Sequence, residues 1–156
     1  LAISLDSIVA QENEYLRHGT DHNDALVNIK RFVELQNEMN LTVIARPTIT
    51  ILNAYHLPET LEWLDEQNIR HNATHLTHPA HLSLTVLPLS EKNKIATKFA
   101  EHDFKNDNTR KSCEYIKNYM MSTDHSHLLA EFKKHTEFLD SKRGESFKDL
   151  YPYFDF

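Results

Sequence analysis

From Ala2 to Leu76 the chain alternates short apolar runs with amphipathic stretches, and this alternation is the strongest constraint on its fold. Ala2–Ile8 reads as a strand. Asp21 stands at a helix N-cap, ahead of Ala25, Leu26, Ile29, Phe32 and Val33 at helical spacing, so a helix is predicted from about His22 to Glu38. Leu41–Ala45 is a second strand candidate, and Thr48–Leu52 alternates polar and apolar past Pro47. Pro58, at a first helical position with Glu59 behind it, opens a helix through Leu61 and Leu64 that ends near Gln67. A third strand is expected between Arg70 and Leu76, and a further extended piece over His81–Leu87. Strand–helix–strand–helix–strand is the pattern of an α/β fold with parallel pairing. Right-handed crossovers would put both helices on one face.

An isolated three-stranded parallel sheet leaves two raw edges. The expected arrangement is therefore a segment of a larger sheet or barrel whose earlier strands are absent. The opening residue, Leu1 rather than Met, lies at the start of a strand and agrees with a piece of something longer. After Pro88 the pattern turns helical. Ser90 is placed to cap a segment carrying Ile95, Ala96, Phe99 and Ala100. Past the polar break Asp103–Asn108, a second helix puts Cys113, Ile116 and Met120 on one face. A third runs from about Ser126 to Ser141 and stops at Gly144. The aromatic tail of Phe147, Tyr151, Tyr153, Phe154 and Phe156 is expected to pack back on the body. The chain divides into residues 1–88, α/β in pattern, and a helical extension over 89–156.

Composition narrows the function classes. The 156 residues can bury a real core. A net charge of −6 without a long basic run argues against a nucleic-acid partner. No apolar stretch approaches the roughly 18 residues that span a bilayer. The single cysteine, Cys113, precludes an internal disulfide and fits a reducing cytoplasm. Only two glycines are present, where ordinary usage of about 7% would give roughly 11. Neither a GxGxxG fingerprint nor a P-loop occurs.

The polar residues that interrupt the pattern are the site candidates. Ser4 and Asp6 lie at i and i+2, on one face of the first strand and near its C-terminal end. A strand of a buried parallel sheet should be apolar on both faces, and α/β enzymes place ligands at strand C-termini. The pair reads as part of a small-molecule site or as a cap for the loop that follows. His71, His75, His78 and His81 suggest a zinc module, but His78-Pro79 breaks a helix there and a strand scatters the rings over both faces. They read better as partly exposed histidines around the third strand. Cys113, on an apolar helix face, reads as core.

Four stretches resemble the second half of a radical S-adenosylmethionine (SAM) enzyme with a twitch-type C-terminal region. They are Ser4-Leu5-Asp6 at the strand end; Asn13, Glu14, Tyr15, Arg17 and Gly19 leading to Asn28, Ile29 and Phe32; Asn53-Ala54-Tyr55-His56-Leu57-Pro58; and Lys134-His135-Thr136 through Phe138-Leu139-Asp140 to Arg143 and Asp149-Leu150-Tyr151-Pro152. The resemblance implies the C-terminal half of a partial (β/α)6 barrel, strands four to six over residues 1–88, followed by the helical extension. It implies a 4Fe-4S iron-sulfur cluster that reductively cleaves SAM to a 5′-deoxyadenosyl radical for hydrogen abstraction from a substrate, fed by an electron donor. Ser4, Asp6 and Arg17 would belong to the SAM site. A hydroxyl and a carboxylate suit ribose hydroxyls or an amino group, and a guanidinium suits a carboxylate bidentately. Asn53 is either a member of that pocket or a turn residue ahead of the Pro58 helix.

The chain departs from the family pattern in two places. The cluster needs a CxxxCxxC motif, because thiolates hold such iron. Cys113 alone cannot supply it, so the cluster would belong to the N-terminal half of the barrel. Ser7 stands where family members commonly have glycine. The competing reading is a non-enzymatic binding module derived from such a barrel, docking a partner through an exposed strand edge or the aromatic tail.

Overall fold

The computed structural model describes the backbone of residues 1–156 and the side chains of all but residue 37. Five short strands, β1 (Ala2–Ile3), β2 (Ile44–Ala45), β3 (Thr48–Ile49), β4 (Arg70–His71) and β5 (Thr74–His75), form parallel pairs in the order β1-β2-β4 and β3-β5. They are segments of three continuous runs. Ile44 and Arg46 donate N–H to Leu1 and Ile3 carbonyls, while Asn72, Thr74 and Leu76 donate to Ala45, Pro47 and Ile49. Pro47 accepts a bond but has no N–H to return, which interrupts the ladder between β2 and β3. The runs therefore lie side by side in chain order, and the strand–helix alternation is realised as parallel pairing.

The crossovers are α2 (His22–Met39) and α3 (Leu57–Glu66). Asp21 caps α2 as predicted, its carboxylate accepting the Asp24 N–H at 2.9 Å. Pro58 lies in the first turn of α3, whose Leu57, Leu61 and Leu64 are wholly buried. Both helices cover one face of the sheet. There Ile3, Leu5, Val43, Ala45, Ile49, Ile69 and Ala73 join Ile29, Leu61 and Leu64 in the core. Full burial of each leucine contributes about 1.5–3 kcal/mol.

Beyond the sheet, α4 (Leu89–Glu101) and α5 (Asp107–Ser122) pack on each other, and α5 also packs on α3. The buried stripe of α5 is Thr109, Cys113, Ile116 and Met120. Burial pushes the Cys113 thiol up to about 12, with the Glu59 and Glu62 carboxylates adding to the rise. Helix α6 (Leu129–Arg143) ends at Gly144, whose φ of 68° is the left-handed conformation a glycine adopts without strain. A last turn, α7 (Phe147–Leu150), starts the aromatic tail. Phe147 stacks on Tyr151 at 4.8 Å, and Phe132 meets Phe147 edge-on at 5.4 Å, so the tail does pack back.

Three local expectations are corrected. Residues 10–16, expected as loop, form α1 (Ala10–Leu16). Its buried side chains are Glu12, Asn13 and Tyr15, so it carries no apolar periodicity to read. His81–Leu87, expected extended, makes two 3-10 turns, Ala80–Leu82 and Leu84–Val86. Helix α4 begins one residue before Ser90, with Pro88 at its N-cap, so Ser90 caps nothing.

Candidate functional site

At its C-terminal end β1 runs into Ser4, Leu5 and Asp6, and the ladder there changes partner. The Thr48 N–H is accepted not by a strand carbonyl but by Asp6 Oδ1, at 3.0 Å. Asp6 Oδ2 faces Arg17 Nη2 at 2.7 Å. Arg17 is the C-cap of α1, its backbone N–H bonded to the Asn13 carbonyl, so that short helix sets where the guanidinium stands. Asp6 is 11% exposed and Arg17 36%, which places the pair at a rim open to solvent. Arg17 Nε is buried without a partner. The Ser4 side chain is exposed.

Asn53 ties this corner together. Its amide nitrogen donates to the Asp6 and Thr48 carbonyls at 2.9 and 3.0 Å. Its oxygen accepts the Thr50 N–H at 2.8 Å and lies 3.4 Å from the Thr50 hydroxyl. With both donors and the acceptor engaged, Asn53 fastens two strand ends and has no hydrogen left to offer a ligand.

The four stretches quoted from the sequence converge here. Asn53 joins the first to the third through the Asp6 carbonyl. Tyr15 and the last turn of α6 join the second to the fourth: the Tyr15 hydroxyl donates to Asp140 Oδ1 at 2.9 Å, and Arg143 Nη1 donates to the Tyr15 carbonyl at 3.1 Å. Burial, reinforced by Asp140, holds the Tyr15 hydroxyl well above the usual phenol range.

The second feature is the sheet face that no helix covers. Ala2 is in register with Ile44 and Arg70, and Thr48 with Thr74. The rungs between them put Ser4, Arg46 and Asn72 in a middle row. On this face Ser4, Arg46, Arg70, Asn72 and Thr74 are exposed, and Ile44 and Thr48 partly so. Parallel sheets ordinarily hide both faces.

Sequence reasoning missed one buried cluster altogether. Glu12, 1% exposed, accepts the Ser7 hydroxyl at 2.7 Å on one oxygen. On the other it accepts the Tyr153 hydroxyl at 2.7 Å and meets His56 Nδ1 at 2.6 Å. Ser7 is thus wholly buried and spends its hydroxyl holding this carboxylate. Burial and the Glu12 charge raise the Tyr153 phenol strongly. Residues 7, 12, 56 and 153 carry no common spacing, so nothing in the linear sequence announces the cluster.

The histidines disperse. His71 lies 3.2 Å from Asp65, His75 stacks on Tyr119 at 3.5 Å, His81 lies 3.2 Å from Glu131, and His78 is exposed. Among the described residues no group of three His, Cys, Asp or Glu side chains is placed to hold a metal ion. Nor is any helix long and apolar enough to cross a membrane.

The larger concavities lie away from the rim. A cleft of about 710 Å³ over α4 is lined by Tyr55, Lys94, Lys98, His102 and Tyr153 among others, and one of about 580 Å³ lies between the β4 and α5 regions. Ser4, Asp6, Arg17 and Asn53 line neither. A flat sheet face becomes a cavity only when something closes over it, so concavity is the wrong measure of this site. The chain matches no protein-family model, no curated protein and no solved structure.

Proposed function

We propose that this chain is the C-terminal half of a partial radical SAM barrel, with residues 89–156 as its twitch-type helical extension. The observation that carries the reading is the uncovered polar face. Three parallel runs lie in chain order with both crossover helices on one side, which is how a barrel is wound. The other side, which would line the lumen, is polar and open. The rim residues then fall at the C-terminal end of the strands, where such folds bind ligands.

The residues present fit one part of SAM. Arg17 retains unpaired donors, including the buried Nε, and can take a carboxylate beside its Asp6 contact. The Ser4 hydroxyl is free to meet a ribose or amino group. Asn53 acts as a positioning residue that holds Asp6. If SAM is held here, the chemistry it would supply is hydrogen abstraction by way of its reductive cleavage, with Arg17 and Ser4 binding it and Asn53 keeping Asp6 in place. The donor set does not fit the iron-sulfur cluster, since the lone Cys113 is buried in the helical core with its thiol protonated. The cluster, the electron donor and the first strands would lie outside this chain.

The test is the intact mass and N-terminal sequence of the protein from its native source, followed by anaerobic reconstitution with iron, sulfide and dithionite. The expected product carries CxxxCxxC ahead of Leu1 and releases 5′-deoxyadenosine from SAM. Arg17→Gln should weaken its SAM binding tenfold or more. A native protein without that motif, or one that leaves SAM intact after reconstitution, overturns the reading in favour of a non-enzymatic binding module.

A further inference from the structure

Among the described residues the ion-paired arginines are Arg17, Arg110 and Arg143. Arg46 and Arg70 form no ion pair among the described residues, and Asp6, the carboxylate diagonal to Arg46, is turned to Arg17 and the Thr48 N–H. Both project from the uncovered face, since Ala45 and His71, their neighbours in sequence, point into the helix layer. They sit on adjacent strands one row apart, because Arg70 is in register with Ile44. Strands about 4.8 Å apart with a rise of about 3.3 Å per residue put their Cα atoms roughly 8 Å from each other. Two side chains of that length converge easily on one group.

Their surroundings are neutral. Ser4, Thr48, Asn72 and Thr74 supply hydroxyls and an amide, and the one carboxylate on the face, Asp6, is occupied by Arg17. A shallow cleft of about 410 Å³ beside Arg70 is lined by Gln36, Asn40, Thr42 and Asn68, again without an acid. So two uncompensated cations stand together on a protein whose net charge is −6. In a closed lumen they would lose water, and buried charge is tolerated only when paired.

We infer that the open face binds an oxyanion, a phosphate or carboxylate group of the substrate, between Arg46 and Arg70. The inference rests on the barrel reading for its lumen, and it names the substrate class that reading leaves open. Guanidinium forks take either anion bidentately. The rim pair Asp6–Arg17 lies toward the C-terminal ends of the strands, so the anion would sit deeper than SAM.

The experiment is a titration of the ¹⁵N-labelled 156-residue chain with sodium pyrophosphate and with sodium succinate, against sodium chloride at matched ionic strength. Saturable amide shifts confined to residues 44–48 and 70–74 are expected with at least one of the two. The stronger binder identifies phosphate or carboxylate as the group recognised. The double variant Arg46→Gln/Arg70→Gln should weaken that binding at least tenfold with an unchanged melting temperature. Shifts that sodium chloride reproduces, or that persist in the double variant, would overturn the inference. Release of 5′-deoxyadenosine by the native protein tests the barrel reading separately, so the two failures can be told apart.

Discussion

On the helix-covered face of the sheet Leu5, Ala45 and Ile49 are wholly buried, whereas their neighbours Ser4, Arg46 and Thr48 on the opposite face keep contact with water. A strand buried on both sides would read as a continuous apolar run. The central run here is Thr-Val-Ile-Ala-Arg-Pro-Thr-Ile, whose outward positions are polar at Thr42, Arg46 and Thr48 and apolar only at Ile44. Helices therefore cover only one face of this sheet. The second face is built to meet water or a polar ligand, and it is stable in water because nothing apolar of any size is left on it but Ile44.

The largest effect is expected on the covered face. Leu5→Ala should lower stability by about 2–5 kcal/mol, read as a shift in the urea midpoint at constant slope, because it opens a cavity under the edge strand. A loss under about 1 kcal/mol would mean that the helix layer does not grip β1. Next comes the polar cluster at the margin of that layer. Glu12→Gln keeps the volume but turns one acceptor into a donor facing the donors of Ser7, His56 and Tyr153. A loss of about 2–3 kcal/mol is expected in the same melts, since a buried group is left unpaired. Tyr153→Phe, which removes only one donor, should lose about 1 kcal/mol.

These two sites also mark where the sequence could be read and where it could not. The covered face was legible because period-2 and period-3.6 apolar spacing records burial directly: Ile3 and Leu5, then Ile29, Leu61 and Leu64. Local backbone chemistry was equally plain at Asp21 and Gly144, where a cap and a left-handed turn need particular residue types. Helix α1 was not legible, because what it buries is Glu12, Asn13 and Tyr15, whose stabilisation comes from partners distant in sequence. The turns at 80–86 were hidden by the alternation of His81, Ser83 and Thr85, which a strand and a pair of 3-10 turns satisfy alike. At the site, Asp6 and Arg17 could be picked out singly, but their pairing could not, nor could the full use of Asn53 as a fastener.

A smaller effect should follow pH. Burial against Tyr119 lowers the pKa of His75, and burial, with help from His81 and Arg143, lowers that of His135. A histidine whose folded pKa lies below its unfolded value stabilises fully above about 6.5, and that contribution is lost as pH falls through the folded value. The melting temperature should therefore hold between pH 7 and 8 and decline below 6.5, and His75→Phe should flatten the decline. An unchanged slope in that variant would remove His75 from the account. Cys113 acts at the other end. Its raised thiol keeps its contribution below pH 9 and loses it as pH climbs toward 12, so a disulfide reagent should find the thiol only in denaturant.

The smallest effect is expected on the open face. Arg46→Thr and Arg70→Thr each change a long charged side chain at a strand position, directly beside wholly buried Ala45 and nearly buried His71. If the face is open, neither residue packs on anything, and each substitution should move stability by no more than about 0.5 kcal/mol. Threonine suits a strand at least as well as arginine does, so a slight gain is also consistent. A loss above about 1 kcal/mol would mean that the guanidiniums are already covered in solution. The cover would then have to be another copy of the chain, and the melting temperature would rise with protein concentration, as association coupled to folding requires. Independence from concentration, together with near-neutral substitutions, would show that the face stands open in solution.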